Sequence, residues 1–162
     1  MSDVKPIPEG FERAIPYLIV NGAADAIQFY KKAFGAEELR RAVVPDSEKI
    51  MHAALKIGES VIFLCDDFPE WGGGKERHPR ALGASPVTIQ LYVEDVDSIM
   101  EQAQNAGATV DMPAMDAFWG DRYGKITDPF GHEWGFATKI KELSDEEMTK
   151  AAQDFFASGP CE

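Results

Sequence analysis

The chain repeats itself. Val20 precedes a short polar bend and a run of helical periodicity that ends at Phe34-Gly35-Ala36, and Val93 precedes the same arrangement, ending at Ala106-Gly107-Ala108. The two valines stand 73 positions apart and the two glycines 72. Farther along, Lys56-Ile57-Gly58 leads into Val61-Ile62-Phe63 as Asp128-Pro129-Phe130-Gly131 leads into Trp134-Gly135-Phe136, and Gly58 and Gly131 are again 73 apart. A near-constant offset with the same order of elements restricts the chain to two copies of one supersecondary unit.

Within each copy the periodicities name the elements. Ala23, Ala26, Ile27, Tyr30 and Phe34 fall on one helical face, and Val96, Ile99, Met100 and Ala103 repeat that register. Asp95 suits the N-cap of the second helix, while Gly35 and Gly107 supply the left-handed residue that ends each one. Strands are expected at 14–20, 37–44, 50–57 and 60–65, then at 87–93, 109–112, 122–127 and 133–138, so each half reads βαβββ. In 50–57, Met51, Ala53, Leu55 and Ile57 share one face and His52, Ala54 and Lys56 the other. The expected fold class is α+β: a first module at 14–66, a linker loop at 67–86, a second module at 87–138 and a C-terminal helix at 142–158. The linker is rich in Gly, Pro and charge, and the terminal helix is announced by the capping box Ser144-x-x-Glu147.

Composition narrows the function classes. The 16 Lys and Arg against 28 Asp and Glu leave a net charge of −12, which opposes attraction to nucleic acid and to anionic membranes. The apolar run Ala14–Val20 is too short for a membrane span, two cysteines cannot build a disulfide framework, and no secretory signal is evident, so a cytoplasmic location is expected. Gly72-Gly73-Gly74-Lys75 is not a phosphate loop, because Glu76 stands where Ser or Thr is required and Pro69 where the first Gly should be. Cys65 reads as a small core residue and Cys161 as part of a frayed terminus, so neither is a nucleophile.

The ordered set Pro16-Tyr17-Leu18, Phe29-Tyr30, Phe34-Gly35-Ala36, His52, Val93-x-Asp95-Val96-Asp97, Phe118-Trp119-Gly120-Asp121-Arg122 and Asp128-Pro129-Phe130-Gly131-His132-x-Trp134 resembles the vicinal oxygen chelate superfamily. That is the glyoxalase, bleomycin-resistance and extradiol-dioxygenase group, and the likeness is greatest to its PhnB-like branch. The resemblance covers about residues 14–138 and implies curved sheets forming a cleft for a small organic ligand, in a homodimer. It also implies, in metal-dependent members, ligands on the first and last strand of each module. Counting from the bends places those positions at Ile15, Thr88, Ile62 and Gly135, which offer no imidazole or carboxylate, so no metal and no cofactor is expected. A two-residue slip would bring Tyr17, Ser60, Gln90 and Glu133 to the face instead, with Gln90 and Glu133 able to ligate.

The leading expectation is a metal-independent small-molecule-binding protein in which Tyr17, His52, Gln90, Trp119 and Tyr123 contact the ligand. The alternatives are a divalent-metal-dependent lyase, isomerase or dioxygenase, and a metal-free enzyme with His52 as general base. Binding clefts are mostly apolar with a few placed polar groups, and 118–123 combines aromatic rings with Asp121 and Arg122 in that manner. His132 follows Asp-Pro-Phe-Gly and is read as part of a hairpin connection.

Overall fold

Helix α1 (Ala23–Phe34) forms on the expected stripe: Ala23, Ala26, Ile27, Tyr30 and Phe34 are all buried. It stops where Gly35 turns left-handed at φ 64°, and the N–H groups of Gly35 and Ala36 close onto the Lys31 and Tyr30 carbonyls. These features come from a computed structural model that describes residues 5–159, so the expectation for Cys161 lies outside the described residues.

The described chain divides into two units, each βαβββ. The first runs to Pro86 and also contains Pro129–His132; the second comprises Val87–Asp128 and the chain from Glu133 onward. In the first, β1 (Tyr17–Val20), β2 (Glu37–Val43), β3 (Ile50–Ile57) and β4 (Ser60–Asp66) form a sheet of order β1-β4-β3-β2. β1 is parallel to β4, and the other neighbours are antiparallel. Ala53, Leu55, Ile57, Ile62 and Leu64 fill the side on which α1 packs, and all are buried. The opposite side of the sheet, here the far face, carries His52, Ala54, Lys56 and Phe63.

A buried carboxylate holds the start of α1. Gly22, at the N-cap with φ 94°, has no side chain to cap with, and the N–H groups of Gly22 and Ala23 donate to Asp66 Oδ1 at 3.0 and 2.9 Å. The N–H of Ile50 donates to the other oxygen of Asp66 at 2.7 Å. One side chain at the end of β4 thus ties helix, β3 and β4 together.

The segment 67–86 contains elements that its composition does not announce. A 3₁₀ turn spans Pro69–Trp71 and a short helix α2 spans Pro79–Leu82, each with proline at its start, where the missing N–H costs nothing. Asp67 Oδ2 accepts from the N–H of His78 at 3.0 Å, anchoring the return of the loop.

In the second unit, β5 (Thr88–Tyr92), α3 (Val96–Ala106), β6 (Thr109–Asp116), β7 (Asp121–Thr127) and β8 (Glu133–Lys139) give the order β5-β8-β7-β6. Asp95 caps α3 as expected, its side chain accepting from the N–H of Ser98 at 3.1 Å. β6 continues four residues beyond the expected end, through Pro113. It is an edge strand with register irregularities there, and an edge position tolerates a residue that cannot donate to the ladder.

After β8, α4 (Asp145–Ala157) begins with both capping-box bonds made, Ser144 N–H to Glu147 at 2.8 Å and Glu147 N–H to Ser144 at 3.2 Å. Its Met148, Ala151 and Ala152 are half-buried, and Phe155 lies 5.0 Å from the ring of Phe118. No helix among the described residues is long and apolar enough to cross a membrane.

Candidate functional site

The strand registers decide which side chains share the far faces. In the first unit Tyr17 is opposite Phe63 across the parallel pair, and Phe63 is opposite Ala54 across the antiparallel one. Residues of like parity on β3 therefore join them, and His52 comes to Tyr17 with Nδ1 3.0 Å from the phenol oxygen. The His52 and Phe63 rings stand edge to face at 4.7 Å, and Tyr17 and Phe63 do so at 5.7 Å. Burial pushes the Tyr17 phenol above its usual range, with a smaller contribution from the nearby Cys65 thiol. Burial also raises the Cys65 thiol. For His52 the direction is downward: burial disfavours the imidazolium, and the nearby charge of Arg40 adds to that, so the ring is neutral at pH 7. Its Nε2 is buried and has no hydrogen-bond partner.

In the second unit Gln90 is opposite Gly135, which is opposite Lys125, and Thr88 is opposite Glu133. Tyr123 shares this face. A methyl group built on Gly135 would collide with the Gln90 side-chain oxygen and lie 3.0 Å from the Tyr123 hydroxyl, so the glycine leaves the room that Gln90 occupies. Trp119 stands 5.6 Å from the Tyr123 ring. At the edge of the same face, Tyr92 donates to the buried Asp121 at 2.9 Å, and Lys139 lies 3.4 Å from the other oxygen of that carboxylate. Arg122, of opposite parity, is bound to Asp97 on α3 and to Asp116 on β6. It orders the backbone of the second unit and stands apart from Trp119 and Tyr123.

The five expected contact residues therefore assemble as two groups, Tyr17 with His52 in one unit and Gln90 with Trp119 and Tyr123 in the other. His132 sits in the first unit, its Nε2 3.0 Å from the Ile19 carbonyl, in keeping with a connecting role. Phe63 and Arg40 belong with the first group and were not singled out by the sequence. The parallel pairing of β1 with β4 is the signal for Phe63, since it puts every second residue of β4 beside Tyr17.

The expected metal-ligand positions need one correction. Tyr17 pairs with Phe63 and Gln90 with Gly135, so the counterpart of Gly135 is Phe63, not Ile62. Ile62 is 2% exposed and points to the α1 side, as does the parity of Ser60. The 73-residue count from Gly58 to Gly131 slipped because two residues join β3 to β4 whereas five join β7 to β8. With the register corrected, the first unit offers Ile15 or Tyr17 with Val61 or Phe63, none of them a carboxylate or imidazole. In the second unit Glu133 is occupied: Lys125 donates to it at 2.8 Å and Thr88 at 3.1 Å, and Lys125 holds the carboxyl below its usual range. Among the described residues no three His, Cys, Asp or Glu side chains gather as a cation site. The donor set does not fit the divalent ion of metal-dependent relatives.

Comparison with known proteins agrees with this architecture. The sequence profile of the Glyoxalase/Bleomycin resistance protein/Dioxygenase superfamily matches residues 13–136. An uncharacterized protein of Mycobacterium bovis is 48% identical over 136 residues, which are 84% of this chain and 89% of that protein. A crystal structure from Pseudomonas aeruginosa superimposes with a TM-score of 0.64 at 27% identity, covering 80% of this chain and 98% of the other. The X-ray structure of a gene product of Arabidopsis thaliana gives 0.61 at 30% identity, covering 78% and 98%.

Proposed function

The chain belongs to the glyoxalase/bleomycin resistance protein/dioxygenase superfamily, and from that membership we propose that it is a binding protein for a small organic molecule that works without a metal ion. The observation that carries this reading is the chemistry of the far faces. On the first and last strands of each unit, where the resemblance puts the ligands of metal-dependent relatives, the far faces present Tyr17 with Phe63 and Gln90 with Gly135, flanked by His52, Trp119 and Tyr123. The carboxylate of Glu133 is taken up by Lys125 and Thr88. Aromatic walls with a few placed polar groups are the usual lining of small-molecule sites. The reading includes a homodimer and a cytoplasmic location, and sedimentation equilibrium tests the former.

The test has two parts, elemental metal content per chain in untagged protein purified without chelator, and a fragment library screened by ¹H–¹⁵N NMR. Background metal together with shifts clustered at Tyr17, His52, Gln90, Trp119 and Tyr123 is the expected result. Near-stoichiometric metal would overturn it in favour of a divalent-metal-dependent lyase, isomerase or dioxygenase, with Gln90 and Glu133 as the first residues to substitute.

One observation favours a second reading, a metal-free enzyme with His52 as general base. The imidazole is neutral at pH 7 and its Nε2 has no partner, which is the state a base requires. In that case His52→Ala removes turnover while ligand affinity is retained; unchanged turnover ends the idea.

A further inference from the structure

The far face of the first unit carries an arginine that no carboxylate pairs among the described residues. Arg40 on β2 is opposite Ala54, so it shares the face with His52, whose ring its charge reaches. Its neighbour Arg41 is satisfied by Glu38, as is Lys31, whereas among the described residues no carboxylate pairs with Arg40. The other titratable and charged groups on this face are Tyr17 from β1, Cys65 from β4, Glu37 on β2, and Lys56 on β3, which is opposite Glu37 and meets the exposed Glu59 at 3.5 Å. A cation without a counterion and a buried imidazole nitrogen without a partner thus stand together. A buried polar atom left unpaired is costly and rare enough to call for an explanation.

The apolar side of the same place is already filled, from within the chain. Phe11, on the irregular segment ahead of β1, lies 5.7 Å from the Phe63 ring at an interplanar angle of 38°, and the Arg40 guanidinium stands 5.9 Å above it. Its backbone N–H closes only onto the Pro8 carbonyl, within the segment itself. Phe11 is therefore an aromatic ring held between a phenylalanine and an arginine by side-chain contact.

We infer that the far face of the first unit binds a planar aromatic anion, its ring taking the place of Phe11 between Phe63 and Arg40 and its carboxylate meeting the Arg40 guanidinium and His52 Nε2. This rests on the small-molecule reading above and names its ligand class. Arg40 and His52 supply charge and direction, Phe63 and Tyr17 the aromatic wall, and Phe11 is the internal stand-in that a ligand displaces.

Sodium benzoate, benzamide and benzylamine, identical in ring and different in charge, are the probes. Each is titrated into the full chain while the His52 ring nitrogens are followed by long-range ¹H–¹⁵N NMR. Benzoate is expected to move the His52 signals saturably and raise the pH at which the ring titrates, with benzamide weaker and benzylamine silent. Arg40→Met, at an exposed strand position, should weaken benzoate by about tenfold or more, as befits loss of a charged hydrogen bond. Phe11→Ala should strengthen it. Equal responses to all three probes, or benzoate affinity unchanged in Arg40→Met, would overturn the anion assignment while leaving a small-molecule site in place. Probe shifts confined to Gln90, Trp119 and Tyr123 would overturn the assignment of the first unit. A fragment screen that finds no site on either unit's far face would instead sink the binding reading itself.

Discussion

Replacing Asp66 tests whether the first unit is held by a count of backbone acceptors. Its carboxylate accepts three N–H groups, those of Gly22, Ala23 and Ile50, of which the last two are buried. Asp66→Ala strands those two donors at about 1–3 kcal/mol each and leaves Gly22 to find water, for a loss of roughly 2–6 kcal/mol. That is a large share of the roughly 5–15 kcal/mol by which a domain is stable. Asp66→Asn should cost less, about 1–3 kcal/mol, because its one carbonyl oxygen still serves Gly22 and Ala23 while its NH₂ group opposes the Ile50 N–H. The assay is urea unfolding followed by circular dichroism, with Thr138→Val as the control. Thr138 is the counterpart of Asp66 in the second unit and donates a single bond, to the Val93 carbonyl at 2.9 Å, so its loss should cost about 1 kcal/mol. If Asp66→Ala matched the control, or if Asn proved as damaging as Ala, the acceptor count would be refuted.

Other perturbations address the second unit and the imidazole. Gly124→Ala places a methyl against the Met100 sulfur and 3.2 Å from the Met112 carbonyl; a loss of about 1–3 kcal/mol in the same assay is expected from overpacking. Gly135→Ala should drive Gln90 out of its present position, and the ¹H–¹⁵N spectrum should report it at Gln90 and Tyr123 with little change in α3. Because His52 titrates below its ordinary value in the folded chain, the unfolded chain takes up its proton first as pH falls. That part of the stability is therefore present above the unfolded pKa and lost toward the lower folded one. His52→Gln should flatten the fall in melting temperature across that window, and an unchanged slope would place the cause elsewhere. Ser144→Ala removes one arm of the capping box and should lower the helical signal of α4, at a cost of about 0.5–2 kcal/mol.

Local pattern made much of this fold legible. The α1 and α3 stripes, the Asp95 cap and the two faces of β3 all follow from contacts between residues close in sequence, where 3.6- and 2-residue periods act directly. What escaped depends on distance along the chain. Asp66 caps a helix 44 residues away, so no local signature marks it. Phe63 was hidden by a count across two turns of unequal length, and a slip of one residue exchanges the faces of a strand. β6 continued past Pro113 because it lies at the edge of its sheet, a property of the assembled sheet alone. In the candidate site, Tyr17 and His52 could be named from the alternation of their strands. Arg40 could not, because a bulge between Glu38 and Arg40 resets the parity of β2.

The ownership of Pro129–His132 has a consequence for anyone dissecting the gene. Phe130 packs on Phe29 and Tyr30 of α1, and His132 meets the Ile19 carbonyl, so four residues encoded deep in the second half complete the first. Scission after residue 86 yields an amino-terminal fragment that lacks part of its own interior and a carboxyl-terminal fragment carrying a loop that belongs to its sibling. Two copies whose matching spacing invites separation at the midpoint are interlaced by one short exchange, and fragment complementation, not independent expression, is the experiment that such a chain permits.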